Sequence, residues 1–167
     1  MRTERFILRN PLLGIAGTVV HHMERFELLG QNGNFIKLKL VEVYGYPNKT
    51  SFFGGYDSLI ELELKSGIFK ARCNFNSSTG EFYKLYESLN NAYENISGKV
   101  EYSNYEKDLQ FNLNFIENGT VNVQGEISNS DGTNVLSFSF YSDQSYISSS
   151  LEQLRDIISK YGNLEGV

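Results

Sequence analysis

The stretch that decides the fold is residues 98–143, which read GKVEYSNYEKDLQFNLNFIENGTVNVQGEISNSDGTNVLSFSFYSD. Apolar and polar residues alternate over 109–115, 121–127 and 136–140, the period of a strand with one buried face. Asn118-Gly119 and the run 129–132 separate these segments with residues that tight turns favour. The stretch therefore predicts three consecutive antiparallel strands with one apolar face, and residues 100–102 could begin another strand before them.

Two amphipathic segments flank this meander. The first follows an S-x-x-E capping box at Ser78–Glu81, and the second ends at Gly162. Their apolar residues recur every three or four positions, as on one face of a helix: Phe82, Leu85, Leu89 and Tyr93, then Ile147, Leu151, Leu154, Ile158 and Tyr161. A sheet with one apolar face needs a covering layer, and we assign that role to these two helices.

Further strands are expected before the first helix, over residues 26–29, 36–44, 60–64 and 69–75. The phase of alternation changes near Gly67, which indicates a tight turn or a bulge. The sequence therefore predicts an α+β fold. It consists of a single-layer antiparallel sheet of about six to seven strands, in meander or hairpin order, covered by two amphipathic helices.

Length and composition predict one globular domain. The chain has 167 residues, of which 40% are hydrophobic and 14% aromatic, enough for a sizeable core. We expect the stable domain to be 23–167. We expect residues 1–22 to be a loosely attached extension or an upstream mis-start, because a much cleaner globular pattern begins at Met23. Their short apolar run cannot span a bilayer. The single Cys73 cannot form an internal disulfide and fits a cytoplasmic protein.

Charge and residue content argue against several functions. A net charge of −5 disfavours nucleic acid as a partner, because phosphate binding needs a basic patch. It is compatible with a basic protein partner, although mild acidity is also an ordinary solubility feature. The only histidines are His21 and His22, so no His-based triad or zinc site is expected in the domain. No phosphate-binding loop occurs, and we expect no cofactor, metal or catalytic residue.

Two features have both a functional and a structural interpretation. Glu61 and Glu63 would lie about 7 Å apart on one strand face, a spacing open to acid–base chemistry but more typical of a solvated face. The loop segments YGY (44–46) and FFGGY (52–56) place aromatic residues in a flexible setting. Such residues often serve recognition, or they fold back over the edge of the core.

From about residue 26 to residue 161, the chain resembles the WapI-type immunity proteins of bacterial polymorphic toxin systems. The resemblance is carried by the strand over 36–44 that ends in Gly45-Tyr46, by the strands around Leu62 and Phe69, by the helix 81–93 and by Gly98. It is carried further by two motifs, GTVNVQG at 119–125 and DQSYI at 143–147.

The resemblance implies a non-enzymatic protein that binds and neutralises a cognate toxin domain, often a nuclease. A basic toxin would suit the acidic chain, and buried aromatic residues would supply most of the affinity. The candidate contact residues are the acids Glu61, Glu63, Glu87 and Glu94 and the loop tyrosines Tyr44, Tyr46 and Tyr56. The alternative is a protein- or small-ligand-binding domain unrelated to toxins.

Overall fold

The computed structural model describes residues 24–129 and 131–167. The expected extension over residues 1–22 lies outside the described residues. In chain order the elements are β1 (Arg25–Leu29), β2 (Phe35–Val43), β3 (Asp57–Ser66), β4 (Phe69–Ser78), α1 (Thr79–Asn95), β5 (Gly98–Ser103), β6 (Leu109–Phe115), β7 (Thr120–Ser128), β8 (Val135–Asp143) and α2 (Gln144–Tyr161).

The predicted α+β class is confirmed, and the strands are arranged in two sheets. The N-terminal sheet has the order β1-β2-β3-β4, and the C-terminal sheet has the order β5-β6-β7-β8. All neighbouring strands are antiparallel. The sequence predicted a single sheet of six to seven strands, and the structure has eight strands in two four-stranded meanders. Helix α1 follows β4 directly and carries the chain away from it, so β5 begins a new sheet.

Both sheets turn their apolar faces towards one shared core. The buried hydrophobic residues of the two sheets and the two helices form a single cluster. The rings of Phe26 in β1 and Phe111 in β6 stack with centroids 6.5 Å apart. The Ser142 hydroxyl of β8 donates a hydrogen bond of 2.5 Å to the Leu29 carbonyl of β1. These contacts join the two meanders into one body.

The helices bury the predicted stripes and close the core. Helix α1 packs on β5, helix α2 packs on β1, and the two helices contact each other. At the start of α1 the Glu81 carboxylate accepts from Ser78 N, as a capping box requires. At the start of α2 the Asp143 carboxylate accepts from Ser145 N at 2.8 Å, which satisfies an otherwise unpaired donor. No helix of the described part of the chain is long and apolar enough to cross a membrane.

Candidate protein-binding surface

The aromatic loop between β2 and β3 is held by a set of short hydrogen bonds. Ser51 N donates to Gly55 O at 2.7 Å, and Gly55 N donates to Leu164 O at 2.7 Å in the C-terminal segment. The Ser51 hydroxyl donates to Asp57 Oδ1 at 2.6 Å and accepts from Phe53 N at 3.1 Å. The sequence predicted a flexible setting, but these bonds fix the tip of the loop in one conformation.

Two glycines allow the loop to turn back onto helix α1. Gly54 and Gly55 have φ values of 93° and 63°, which residues with a Cβ rarely adopt. The backbone then reaches the start of α1, where Tyr56 N donates to Thr79 Oγ1 at 2.9 Å and Thr79 N donates to Tyr56 O at 2.8 Å. The loop is therefore docked on the helix N-terminus.

Tyr56 is buried at the base of this loop and is not presented to a partner. Its side chain is 0% exposed, and its hydroxyl donates to Pro47 O at 3.3 Å and accepts from Val167 N at 3.1 Å. The Tyr46 ring packs in a T-shaped arrangement with the rings of Tyr56 and Tyr161, with centroids 5.2 Å apart in both pairs. Tyr56 thus takes the alternative anticipated for these aromatics and folds into the edge of the core.

The tip of the loop carries exposed aromatic residues that the sequence analysis did not select. The Phe52 side chain is 97% exposed, and Phe53 is 44% exposed. The Phe53 ring stacks flat on Tyr105, with centroids 4.2 Å apart and planes 7° apart. The Phe52 ring stands almost perpendicular to Phe53 at 5.5 Å. Phe52 therefore projects into solvent from a stacked aromatic base.

Carboxylates surround this aromatic base. Burial raises the pKa of the Tyr105 phenol to about 12, and the charges of Asp57, Glu106 and Asp108, together with that of Glu81, raise it as well. Three of the four, Asp57, Glu106 and Asp108, lie wholly or partly in solvent. We call the set of Phe52, Phe53, Tyr105, Asp57, Glu106 and Asp108 the Phe52 surface.

A buried asparagine shapes the turn that supplies Tyr105 and two of the acids. The Asn104 amide donates to Asn76 O at 2.9 Å and to Asp108 Oδ2 at 3.0 Å. Its carbonyl oxygen accepts from Leu109 N at 3.0 Å. Asn104 is 1% exposed, so these bonds are shielded from water and fix the turn between β5 and β6 against β4.

Beneath the Phe52 surface lies a buried polar group with no open access. The Ser77 hydroxyl donates to Glu81 Oε2 at 2.5 Å, and the Tyr102 hydroxyl lies 3.2 Å from the same Ser77 oxygen. Burial raises the pKa values of both Glu81 and Tyr102. Because Ser77, Glu81 and Tyr102 are all buried, we assign them to the core.

The outer face of the C-terminal sheet forms a second, different feature. It contains an open groove of about 560 Å³. The polar side chains that line this groove are amides, hydroxyls and two carboxylates, namely Gln110, Asn112, Gln124, Ser103, Ser137, Ser139, Glu101 and Glu126. The residues between them in each strand face the core. This face offers hydrogen-bonding groups beside the exposed parts of Tyr102, Phe111 and Phe138.

The predicted acidic contact residues lie on two separate elements. Glu61 and Glu63 are on the outer face of β3, half-buried and opposite Lys39 and Lys37 of β2. Glu61 forms a 2.6 Å ion pair with Arg72, and this hydrogen bond lowers the pKa of its carboxyl. Arg72 of the same sheet therefore already compensates Glu61, whereas Lys37, opposite Glu63, forms its ion pair with Glu27 at 2.8 Å.

Glu87 and Glu94 are exposed on helix α1, and Glu94 accepts from the Asn90 amide at 3.0 Å. Of the predicted tyrosines, Tyr44 is 43% and Tyr46 41% exposed. The structure thus brings Tyr46 and Tyr56 into contact, and it places the four acids on β3 and α1 rather than in the loop. No group of three or more potential metal ligands occurs within residues 24–129 and 131–167.

Residues 27–162 match the model of the family described as the Immunity protein WapI-like family. This match runs from β1 to the end of α2. No curated protein and no solved structure is significantly similar to the chain.

Proposed function

Because the chain belongs to the WapI-like immunity protein family, we propose that it is a non-enzymatic immunity protein of a bacterial polymorphic toxin system. It binds a cognate toxin domain in the cytoplasm of the cell that produces the toxin and blocks its activity. The observation that carries this proposal is the family match over residues 27–162, which includes almost every element of the fold.

The charge of the chain supports a basic toxin partner. The formal net charge is −5, whereas an enzyme that acts on nucleic acid needs a basic cleft to hold the phosphates. Opposite charges speed encounter between two proteins and disfavour wrong partners. An acidic domain that covers a basic cleft would therefore act as a stoichiometric inhibitor. Among the predicted contacts, the exposed Glu87, Glu94, Tyr44 and Tyr46 remain part of this proposal.

The groove on the C-terminal sheet favours a second candidate function. Its amides, hydroxyls and carboxylates could bind a small polar ligand, as expected for a binding domain unrelated to toxins. Native mass spectrometry of the purified protein tests this candidate. A retained small molecule that is lost on substitution of Gln124 would favour it, and a ligand-free mass that is unchanged by added metabolite extracts would count against it.

A growth-rescue experiment tests the main proposal. The toxin domain encoded beside this gene is expressed with and without the chain, and an unrelated toxin domain serves as the specificity control. We expect growth to be restored only against the neighbouring toxin, together with co-purification of the two proteins. Failure of rescue with both proteins folded and soluble would contradict the proposal.

A further inference from the structure

We infer that the Phe52 surface is the part of the molecule that docks on the toxin domain. In this arrangement Phe52 enters an apolar pocket of the partner, and Lys or Arg side chains beside that pocket meet the surrounding carboxylates. The inference rests on the proposed function and adds to it the docking surface and the chemistry of the partner's complementary site.

Phe52 is available to a partner because its side chain lies in solvent. A phenylalanine that is 97% exposed contributes nothing to the core, although large aromatic side chains are among the strongest contributors to protein interfaces. The neighbouring Phe53–Tyr105 stack extends the apolar area around it. Together they form an anchor and a base of the kind that interface centres contain.

Hydrogen bonds hold the loop that carries Phe52 in place. The bonds from Ser51 to Asp57 and to Phe53 N fix the tip, and Gly55 N is held by Leu164 O. Because the backbone is already ordered, little conformational entropy is lost when Phe52 is buried by a partner. The two left-handed glycines, Gly54 and Gly55, allow the loop to adopt the conformation that exposes Phe52.

The local charge selects a basic partner. Asp57, Glu106 and Asp108 lie close enough to the Tyr105 phenol for their charges to act on it, and all three are exposed or partly exposed. Lys107 is the one cation in the 104–108 segment. Phe52 is thus flanked by an excess of negative charge. A pocket bordered by Lys or Arg would gain both steering and charge-assisted hydrogen bonds here.

A second exposed apolar site on the described residues has the opposite charge. Ile68 and Phe69, at the β3–β4 turn, are 91% and 62% exposed. They are flanked by Lys65 and Lys70, which lie opposite each other in the hairpin. A basic partner would be repelled at this turn, so the turn supplies a matched control for the Phe52 surface.

The test uses the toxin domain encoded beside this gene as the binding partner. The dissociation constant is measured for wild type, Phe52→Ala and the control Phe69→Ala. We expect Phe52→Ala to weaken binding roughly 30-fold or more, the range of an interface hot spot, chiefly through faster dissociation. Phe69→Ala should change affinity less than about threefold. Circular dichroism should show both variants folded, because both side chains lie largely in solvent.

Charge reversal gives a second, independent readout. Glu106→Lys is compared with Glu117→Lys, which makes the same change in net charge at the opposite end of β6. Glu106→Lys should slow association at low salt several-fold more than Glu117→Lys, and the difference should shrink as salt screens the charges. Equal association rates for the two variants would overturn the electrostatic part of the inference.

The possible outcomes distinguish failure of the docking surface from failure of the proposed function. A tight wild-type complex that Phe52→Ala leaves within threefold would overturn the docking surface alone. Dissociation of a homodimer by Phe52→Ala, with the toxin complex intact, would assign the surface to a second copy of the chain and also overturn it. The absence of any wild-type complex would overturn the proposed function and this inference together.

Discussion

Replacing Tyr56 by Phe tests whether this buried tyrosine is a structural tie rather than a toxin contact. The substitution keeps the buried ring and removes the hydroxyl, which bonds Pro47 O at 3.3 Å and Val167 N at 3.1 Å. Each hydrogen bond contributes about 0.5–1.5 kcal/mol to stability. Pro47 and Val167 are both exposed, so water can satisfy the two backbone groups left behind. The unfolding free energy should therefore fall by about 1.5 kcal/mol.

The assay is urea unfolding followed by circular dichroism, with thermal unfolding as a check. The expected loss corresponds to a Tm lower by roughly 3–6 °C for a chain of this size. Tyr44→Phe is the matched control, since its hydroxyl makes one 3.2 Å bond to Glu42 at an exposed site. That variant should be within about 0.5 kcal/mol of wild type. If Tyr56→Phe were as stable as Tyr44→Phe, the assignment of Tyr56 as a tie between loop and C-terminal segment would be wrong.

Three further predictions concern the elements that hold the loop and the helices. Gly80→Ala should destabilise the fold by about 1–2 kcal/mol in urea unfolding. A Cβ there would lie 2.5 Å from Gly54 O, and this clash outweighs the helix preference of alanine. A Gly80→Ala variant as stable as wild type would contradict this prediction. Glu81 is buried and its pKa is raised, so the folded state holds its proton to higher pH than the unfolded state. Unfolding free energy should thus fall as pH rises from the ordinary glutamate pKa through the raised value. Glu81→Gln should flatten that fall, and an unchanged pH profile of urea midpoints would refute the assignment. Asp143→Ala should cost about 1 kcal/mol, because the carboxylate caps α2 through Ser145 N; an unchanged thermal midpoint would show that the cap contributes nothing.

Local periodicity was enough to predict the elements but not the arrangement of the sheets. The meander β6–β8 and the two helical stripes were predicted because alternation and helical spacing are properties of neighbouring residues. The division into two sheets was not, since alternation tells which side chains share a face and not which strands pair. The pairing of β4 with β3 alone depends on where α1 leads the chain.

The candidate surface, too, could be predicted only in part from local sequence patterns. The FFGGY segment is visible in the sequence, but its contact with Tyr105 joins residues that are distant in the sequence. For the loop aromatics the sequence left exposure and folding back over the core edge both open. For Tyr56 the outcome depends on Val167 N, which follows 111 residues later and donates to its hydroxyl. Glu61 was selected as a free acid, and only the strand register places Arg72 within reach. Each outcome depends on tertiary contacts that no local pattern contains.

The most direct test of the proposed function is a titration of toxin activity. A fixed amount of the purified toxin domain encoded beside this gene is mixed with increasing amounts of the chain, and residual activity is measured. A stoichiometric immunity protein should reduce the activity linearly to zero at one equivalent, with a complex of the two proteins on size-exclusion chromatography. Full toxin activity at several equivalents, or inactivation by a small fraction of an equivalent that increases with time, would contradict the account.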